Sequence, residues 1–223
     1  MLWCVIQTIE LTLIKFYRKV SQPPIPNLKG DRDIEYSWVA ANMPEGPGRA
    51  LDFGCGSSYL GLIAVQRGFK VTAVDLASVN WPYVHPNLTF LQKDIFDLNF
   101  LPSSLDLIIN CSTIEHVGLG RYGDHQNLNG DREAMNLLYS LLKSRGIMLL
   151  TIPVGKDRIF LPLHRVYGLE RLPLLLDGFI VEKKEYWMKN HKNCWVKIDE
   201  QVALNLQPKP TCYGIGCFVL SRP

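Results

Sequence analysis

The sequence has no C-x-x-C pair and no zinc-type spacing among its six cysteines, Cys4, Cys55, Cys111, Cys194, Cys212 and Cys217. No metal-organised fold is implied, and unpaired thiols suit a reducing, cytoplasmic setting. Cys55 and Cys111 fall at expected strand ends, where cysteine acts as a small apolar residue. Cys212 and Cys217 can approach each other across the last strand, a pairing that such a setting disfavours. No Lys/Arg run is longer than a pair and the formal net charge is only +3, too slight to argue for a nucleic-acid partner, and none is expected. No internal repeat or low-complexity segment occurs.

Long apolar runs are missing as well. In residues 1–20, Leu2, Ile6, Ile9, Leu13, Phe16 and Val20 recur at helical spacing. Gln7, Thr8, Glu10 and Thr12 break the run, so it is not a membrane span. It has neither a basic start nor a small-residue cleavage site, so a signal peptide is not expected. Two readings of this stripe stand open. One is a helix docked on the domain; the other is a helix on a membrane surface, with Lys15, Arg18 and Lys19 at its end. Pro23, Pro24 and Pro26 follow as an extended linker. Residues 1–30 are thus expected to form a helix and linker ahead of one domain over 31–223. With 47% hydrophobic and 20% charged residues, the chain can bury an ordinary globular core.

The informative stretch is Arg49 to Leu62, RALDFGCGSSYLGL. Ala50 to Phe53 reads as a buried strand, Gly54-Cys55-Gly56 as a tight turn, and Ser57 or Ser58 as a helix start. Glycines there permit positive φ and bring bare backbone to a ligand, and the helix start adds unpaired N–H groups. The dinucleotide fingerprint G-x-G-x-x-G fails at Tyr59. What stands instead, Asp52-x-Gly54-x-Gly56-x-Ser58, resembles the first motif of class I S-adenosylmethionine-dependent methyltransferases. Ser58 replaces the usual third glycine, and a small hydroxyl residue also starts a helix well.

Asp75 ends the apolar strand Lys70 to Asp75, 21 residues beyond Gly54. That distance returns an acid to the first turn, where it can accept both ribose hydroxyls. Asp94 and Ile95 follow the strand Leu88 to Leu91 and resemble the family's adenine site. The resemblance implies S-adenosylmethionine as cofactor, held by Asp52, Phe53, Gly54, Cys55, Gly56, Ser58, Asp75, Leu76, Asp94, Ile95, Cys111 and Ser112.

After the strand Leu105 to Cys111 comes Ser112 to Asp124, STIEHVGLGRYGD. Glu115-His116 resembles a pair that many members of the class place there, and EHVGLGRYGD looks like a less characterised methyltransferase-like family. His116 is the candidate base, because imidazole titrates near neutrality, with Glu115 to orient it. A packing role without proton transfer stands beside that reading. Tyr122, Asp124 and His125 are candidate substrate contacts. So are His164, Arg165 and Tyr167, for which helix-entry and surface roles remain open.

The remaining elements complete the plan. Helices are expected at about 33–43, from 129–131 to a close at Gly146, and at 169–176. Strands are expected at 147–152, 178–187 and 214–221, with a long connection over 189–210. The Trp81 to Pro86 loop carries no legible role. The fold class is α/β, a doubly wound, mostly parallel seven-stranded Rossmann-like sheet with its last strand antiparallel beside the fifth. The expected activity is methyl transfer to a small-molecule or glycan-like acceptor. A non-catalytic module of the same fold and a nicotinamide-dependent oxidoreductase are the rivals.

Overall fold

Neighbouring residues on a strand point to opposite faces of a sheet, so a strand buried along its whole length belongs in the middle of a layered domain. Leu105–Cys111 is such a strand. Leu107, Ile108 and Ile109 have no exposed surface, and the computed structural model places this strand centrally in the sheet. The model describes residues 32–79, 83–211 and 213–223, within one compact unit spanning 31–223. The apolar stripe of residues 1–20, the proline linker, Asp31, Trp81, Pro82, Cys4 and Cys212 lie outside the described residues.

In chain order the elements are α1 (Arg32–Asn42), β1 (Gly48–Phe53), α2 (Leu60–Gln66), β2 (Phe69–Asp75), β3 (Leu88–Gln92), β4 (Leu105–Cys111), α3 (Gly130–Leu141) and β5 (Leu142–Val154). Then follow β6 (Arg158–Phe160), β7 (His164–Val166), α4 (Arg171–Leu175), β8 (Ile180–Lys189), β9 (Trp195–Ile198), α5 (Glu200–Asn205) and β10 (Gly214–Ser221). The main sheet runs β3-β2-β1-β4-β5-β10-β8-β9. Strands β3 to β5 of that order are parallel, and β10 slots in antiparallel between β5 and β8, as expected. Its eighth strand is β9, a short edge strand paired with β8. It arises inside the 189–210 connection, which also holds α5.

Two apolar layers sandwich the sheet. Ala50, Val71, Leu107 and Leu149 pack with Trp38 and Val39 of α1 and with Leu60 and Ala64 of α2. On the other face Leu51, Val74, Ile108 and Leu150 meet Met135 and Leu138 of α3, Leu172 of α4 and Leu204 of α5. The β6–β7 pair forms a separate hairpin.

Two boundaries differ from the sequence reading. Leu142 was expected as the last apolar turn of α3, but the helix stops at Leu141. Leu142 pairs with Leu105 of β4 instead, so its side chain reaches the core as a strand residue and not as a helix residue. Helix α2 starts at Leu60, two residues beyond Ser58, with Tyr59 at its N-cap. Ser58 is buried and its Oγ accepts from the Leu60 N–H at 3.4 Å.

Candidate active site

The carboxyl ends of β1, β2 and β4, together with the segment after β3, open into a cavity of about 350 Å³. Its floor is the glycine turn. The N–H groups of Gly54 and Cys55 both donate to the Val74 carbonyl, at 2.8 and 3.1 Å, which straps the turn to β2. Gly54 has φ +68° and Gly56 φ +50°, a region that strains any residue with a Cβ. Sterics separate the two. A Cβ on Gly54 would stand 2.1 Å from Cγ2 of Thr113, whereas one on Gly56 would meet nothing within 4 Å. Gly54 is therefore required by packing, and Gly56 leaves open space toward the cavity.

Three acids converge here from three strand ends. Asp52 is 1% exposed, and its Oδ2 lies sealed against the Gly61 backbone without a hydrogen bond of ordinary geometry. Burial pushes its carboxyl from 3.8 up to about 7; the nearby Gly61 N–H draws it partly back, and the Asp75 charge adds to the rise. Asp75 accepts from the Gly56 N–H at 2.8 Å and the Ala77 N–H at 2.9 Å, one on each oxygen. It thereby holds the turn while each oxygen keeps a further lone pair. Asp94 accepts from the Phe96 N–H at 3.0 Å and caps a short 3-10 turn over Ile95–Asp97. Every sequence-predicted cofactor residue, from Asp52 to Ser112, lines this cavity.

Helix α1 closes one side, which places Arg32 and Tyr36 in the lining. Beneath them Glu35 is fully buried. It accepts from Arg32 Nη1 at 2.6 Å, from Thr151 Oγ1 at 2.8 Å and from Ser112 Oγ. Ser112 sits at φ +49°, at the end of β4, and its N–H donates to the Thr151 carbonyl. One carboxylate thus bolts α1 onto the ends of β4 and β5. The sequence led us to expect a helix at about 33–43 but gave no site role to Arg32, Glu35, Tyr36 or Thr113. The available signal was the i, i+3, i+4 spacing of Arg32, Glu35 and Tyr36 on one helix face.

His116 also lines the cavity and Glu115 stands behind it. The His116 Nδ1 lies 2.6 Å from the Leu163 carbonyl. A carbonyl only accepts, so Nδ1 carries the proton and Nε2 keeps the lone pair. Nε2 is 3.6 Å from Glu115 Oε1. Burial lowers the imidazole from 6.5 to about 4; the Leu163 hydrogen bond opposes this, while Arg121, His164 and Arg32 lower it further.

The substrate candidates divide. Tyr122 and Asp124 line the cavity. The Tyr122 ring is 48% exposed and packs edge-on to His116. Asp124 uses its carboxylate on the N–H groups of Gly118, Gly120 and Tyr122, at 2.6, 3.2 and 3.2 Å. His125 is exposed and outside the lining. His164 is buried one ring behind His116, against Phe160 and Tyr213. Arg165 and Tyr167, read from sequence as substrate contacts, lie fully in the interior instead. Both are drawn there by Asp131, which accepts from the Tyr167 hydroxyl at 3.1 Å and lies 3.4 Å from Arg165 Nε.

Comparison with known proteins places this geometry. The family described as "Caenorhabditis protein of unknown function, DUF268" matches residues 92–201, which contain the Glu115–Asp124 loop and the β6–β7 hairpin. "Putative methyltransferase YqeM" of Bacillus subtilis (strain 168) is 25% identical over 122 residues, covering 52% of this chain. The match spans only 46% of that protein. Among solved structures, Burkholderia thailandensis 1,6-didemethyltoxoflavin-N1-methyltransferase, with bound 1,6-didemethyltoxoflavin and S-adenosylhomocysteine, superposes with a TM-score of 0.57 at 15% identity. That alignment covers 99% of this chain and 88% of the other. The [4+2]-cyclase SpnF superposes with a TM-score of 0.60 at 14% identity, over 86% of this chain and 81% of its own. The protein therefore has the fold of class I S-adenosylmethionine-dependent methyltransferases. A cyclase on the same fold is a reminder that fold does not fix reaction.

Proposed function

We propose that this protein transfers the methyl group of S-adenosylmethionine to a small-molecule or glycan-like acceptor. The observation that carries the reading is the meeting of Asp52, the Gly54–Gly56 turn, Asp75 and Asp94 around one cavity. The groups present suit a cationic nucleoside: a buried carboxyl at the start of the turn, open space beyond Gly56, and a strand-end carboxylate with lone pairs to spare. The S-adenosylhomocysteine held by the Burkholderia thailandensis neighbour supports the same assignment. When bound, the cofactor supplies an electrophilic methyl group on positively charged sulfur.

The chain's own residues then have separable tasks. Asp75 receives the ribose hydroxyls and Asp94 the adenine amine. Asp52 faces the charged methionine end, where a cation lowers the cost of ionising its buried carboxyl. Arg32 and Tyr36 of α1 cover that end from above. At the acceptor end, Tyr122 offers an exposed ring face to the substrate body. His116 receives the proton that the acceptor's nucleophile gives up as the methyl bond forms, and Nε2 is the atom that takes it. Glu115, 3.6 Å away, stabilises the imidazolium so formed. Burial that lowers the ring to about 4 leaves it unprotonated at neutral pH but makes it a weaker base than the near-neutral imidazole the sequence suggested, so the base role depends on Glu115 offsetting that loss as the imidazolium forms. The free thiols Cys55, Cys111, Cys194 and Cys217 agree with a reducing, cytoplasmic setting. Among the described residues no helix is long and apolar enough to cross a membrane.

The test is release of S-adenosylhomocysteine in the presence of fractionated small metabolites and glycans. Acceptor-dependent release by the wild type, abolished in Asp75→Ala and reduced at least tenfold in His116→Ala, is the expected result. Tight cofactor binding with no release across all fractions would favour the non-catalytic module.

A further inference from the structure

Arg165 is the largest fully buried side chain among the described residues, and a buried guanidinium is costly to desolvate unless its hydrogen bonds are made. Its bonds run to one segment. Nη1 donates to the carbonyls of Glu115 and Val117 at 3.3 and 2.6 Å, and Nη2 to those of Asn127 and Leu128 at 3.3 and 3.2 Å. Nε lies 3.4 Å from Asp131 Oδ2, and Asp131 is itself buried and takes Arg171 Nη2 at 2.9 Å. The four carbonyls come from the two ends of the loop that carries His116, Tyr122 and Asp124, so one planar fork gathers both ends.

The loop is built for that pinch. Gly118 has φ +79°, and a Cβ on it would stand 2.1 Å from the Asn127 carbonyl oxygen. The Asn127 N–H donates to the Gly118 carbonyl at 2.8 Å. The same hairpin reaches the loop a second time, because the Leu163 carbonyl, two residues before Arg165, accepts from His116 Nδ1 and from Arg121 Nη1.

We propose that Arg165 is a positioning residue for the acceptor end of this site: its guanidinium closes the Glu115–Leu128 loop and so sets where His116 and Tyr122 stand. This role rests on the methyl-transfer reading of the cavity. Arg165 touches neither cofactor nor acceptor and acts only through the loop. Lysine cannot replace it, because a single ammonium cannot reach carbonyls on both sides of the fork. The sequence offered Arg165 as a candidate substrate contact beside helix-entry and surface roles; on the present proposal its effect on the substrate passes through the backbone.

The test compares wild type, Arg165→Lys and Arg165→Met by hydrogen–deuterium exchange, by proton NMR titration of the His116 ring, and by calorimetry with S-adenosylhomocysteine. The charged and titratable groups facing His116 are Glu115, Arg121, Tyr122, His164 and Arg32. In a folded variant we expect amides of the 116–128 loop to exchange at least tenfold faster, while the β1, β2 and β4 amides keep their rates. The His116 midpoint moves from near 4 toward the ordinary 6.5 as the ring leaves its buried seat. S-adenosylhomocysteine affinity stays within about threefold, because Asp75 and the glycine turn lie on other segments. A purely structural arginine would lower overall stability without singling out this loop or the ring. Unchanged loop exchange with an unmoved His116 midpoint in folded Arg165→Lys would overturn the role. So would unfolding of both variants, which would show that the guanidinium holds the fold and not the loop. If wild-type protein fails to bind S-adenosylhomocysteine, the cofactor reading fails by itself, and the exchange result still decides the loop.

Discussion

Replacing either turn glycine by alanine separates packing from binding at a single motif. Gly54→Ala meets two costs. At φ +68° a Cβ is strained by about 1–2 kcal/mol. It also lands 2.1 Å from Thr113 Cγ2, 2.2 Å from its Oγ1 and 2.6 Å from its Cβ, an overlap that costs about 1–3 kcal/mol to relieve. The expected loss is about 2–5 kcal/mol in urea unfolding. Adding Thr113→Ala removes the nearer atoms but leaves a Cβ at 2.6 Å, so relief is partial. Thr113→Gly removes all three of these atoms, so measured against the Thr113→Gly single variant, which itself loses the Oγ1 bonds to the Gly54 and Cys111 carbonyls, Gly54→Ala should cost little beyond the backbone strain. Gly56→Ala has that strain alone, about 1–2 kcal/mol, since its Cβ meets open space. On the proposed function that space is where ligand approaches backbone, so Gly56→Ala should weaken S-adenosylhomocysteine at least about tenfold, roughly 1.4 kcal/mol. Equal unfolding losses for the two alanines, or no recovery with Thr113→Gly, would refute the steric assignment. Wild-type affinity in Gly56→Ala would refute the placement of ligand over the turn.

Further outcomes follow from the buried charges. Asp52 has its folded pKa raised to about 7, so the unfolded chain releases this proton first and stability falls as pH rises from about 4 to 7. Asp52→Asn should remove up to about 4 kcal/mol of that fall, from three pKa units. His116 runs the other way: with its folded pKa lowered to about 4, the unfolded chain binds the proton first and stability falls as pH drops from 6.5 to 4. His116→Gln should remove up to about 3 kcal/mol of that loss, and urea unfolding from pH 4 to 8 on both variants checks the opposite slopes. Glu35→Ala strands the Ser112 and Thr151 hydroxyls beneath α1. It should cost about 1–3 kcal/mol for each stranded hydroxyl, with little from Arg32, which is half exposed, and weaken S-adenosylhomocysteine through Arg32 and Tyr36, with Glu35→Gln milder on both counts.

The cofactor half was legible because its signals are local. Asp52, the glycine turn, Asp75 and Asp94 each sit at a strand end whose apolar run is visible in sequence, and parallel order brings those ends to one edge. The part of the cavity proposed for the acceptor was legible only in part. Tyr122 and His116 reach the cavity, but Arg165 and Tyr167 turn inward because Asp131, more than thirty residues earlier in the chain, supplies a buried partner. Polar residues beside a suspected pocket look alike in sequence whether they face ligand or backbone. Glu35 was hidden for a related reason: its partners Ser112 and Thr151 lie 77 and 116 residues away. Strand β9 and helix α5 escaped notice because each is short and bounded by turn residues. Leu142 was misassigned because a strand residue and a helix residue bury the same side chain, and only pairing with Leu105 distinguishes them.

Calorimetric titration with S-adenosylhomocysteine and, separately, NAD, on wild type and Asp75→Ala, tests the central claim most directly. Micromolar binding of S-adenosylhomocysteine alone, lost in Asp75→Ala, is the predicted result. Binding of NAD alone would give the cavity to an oxidoreductase, and binding of neither would make the glycine turn a structural feature and contradict the account.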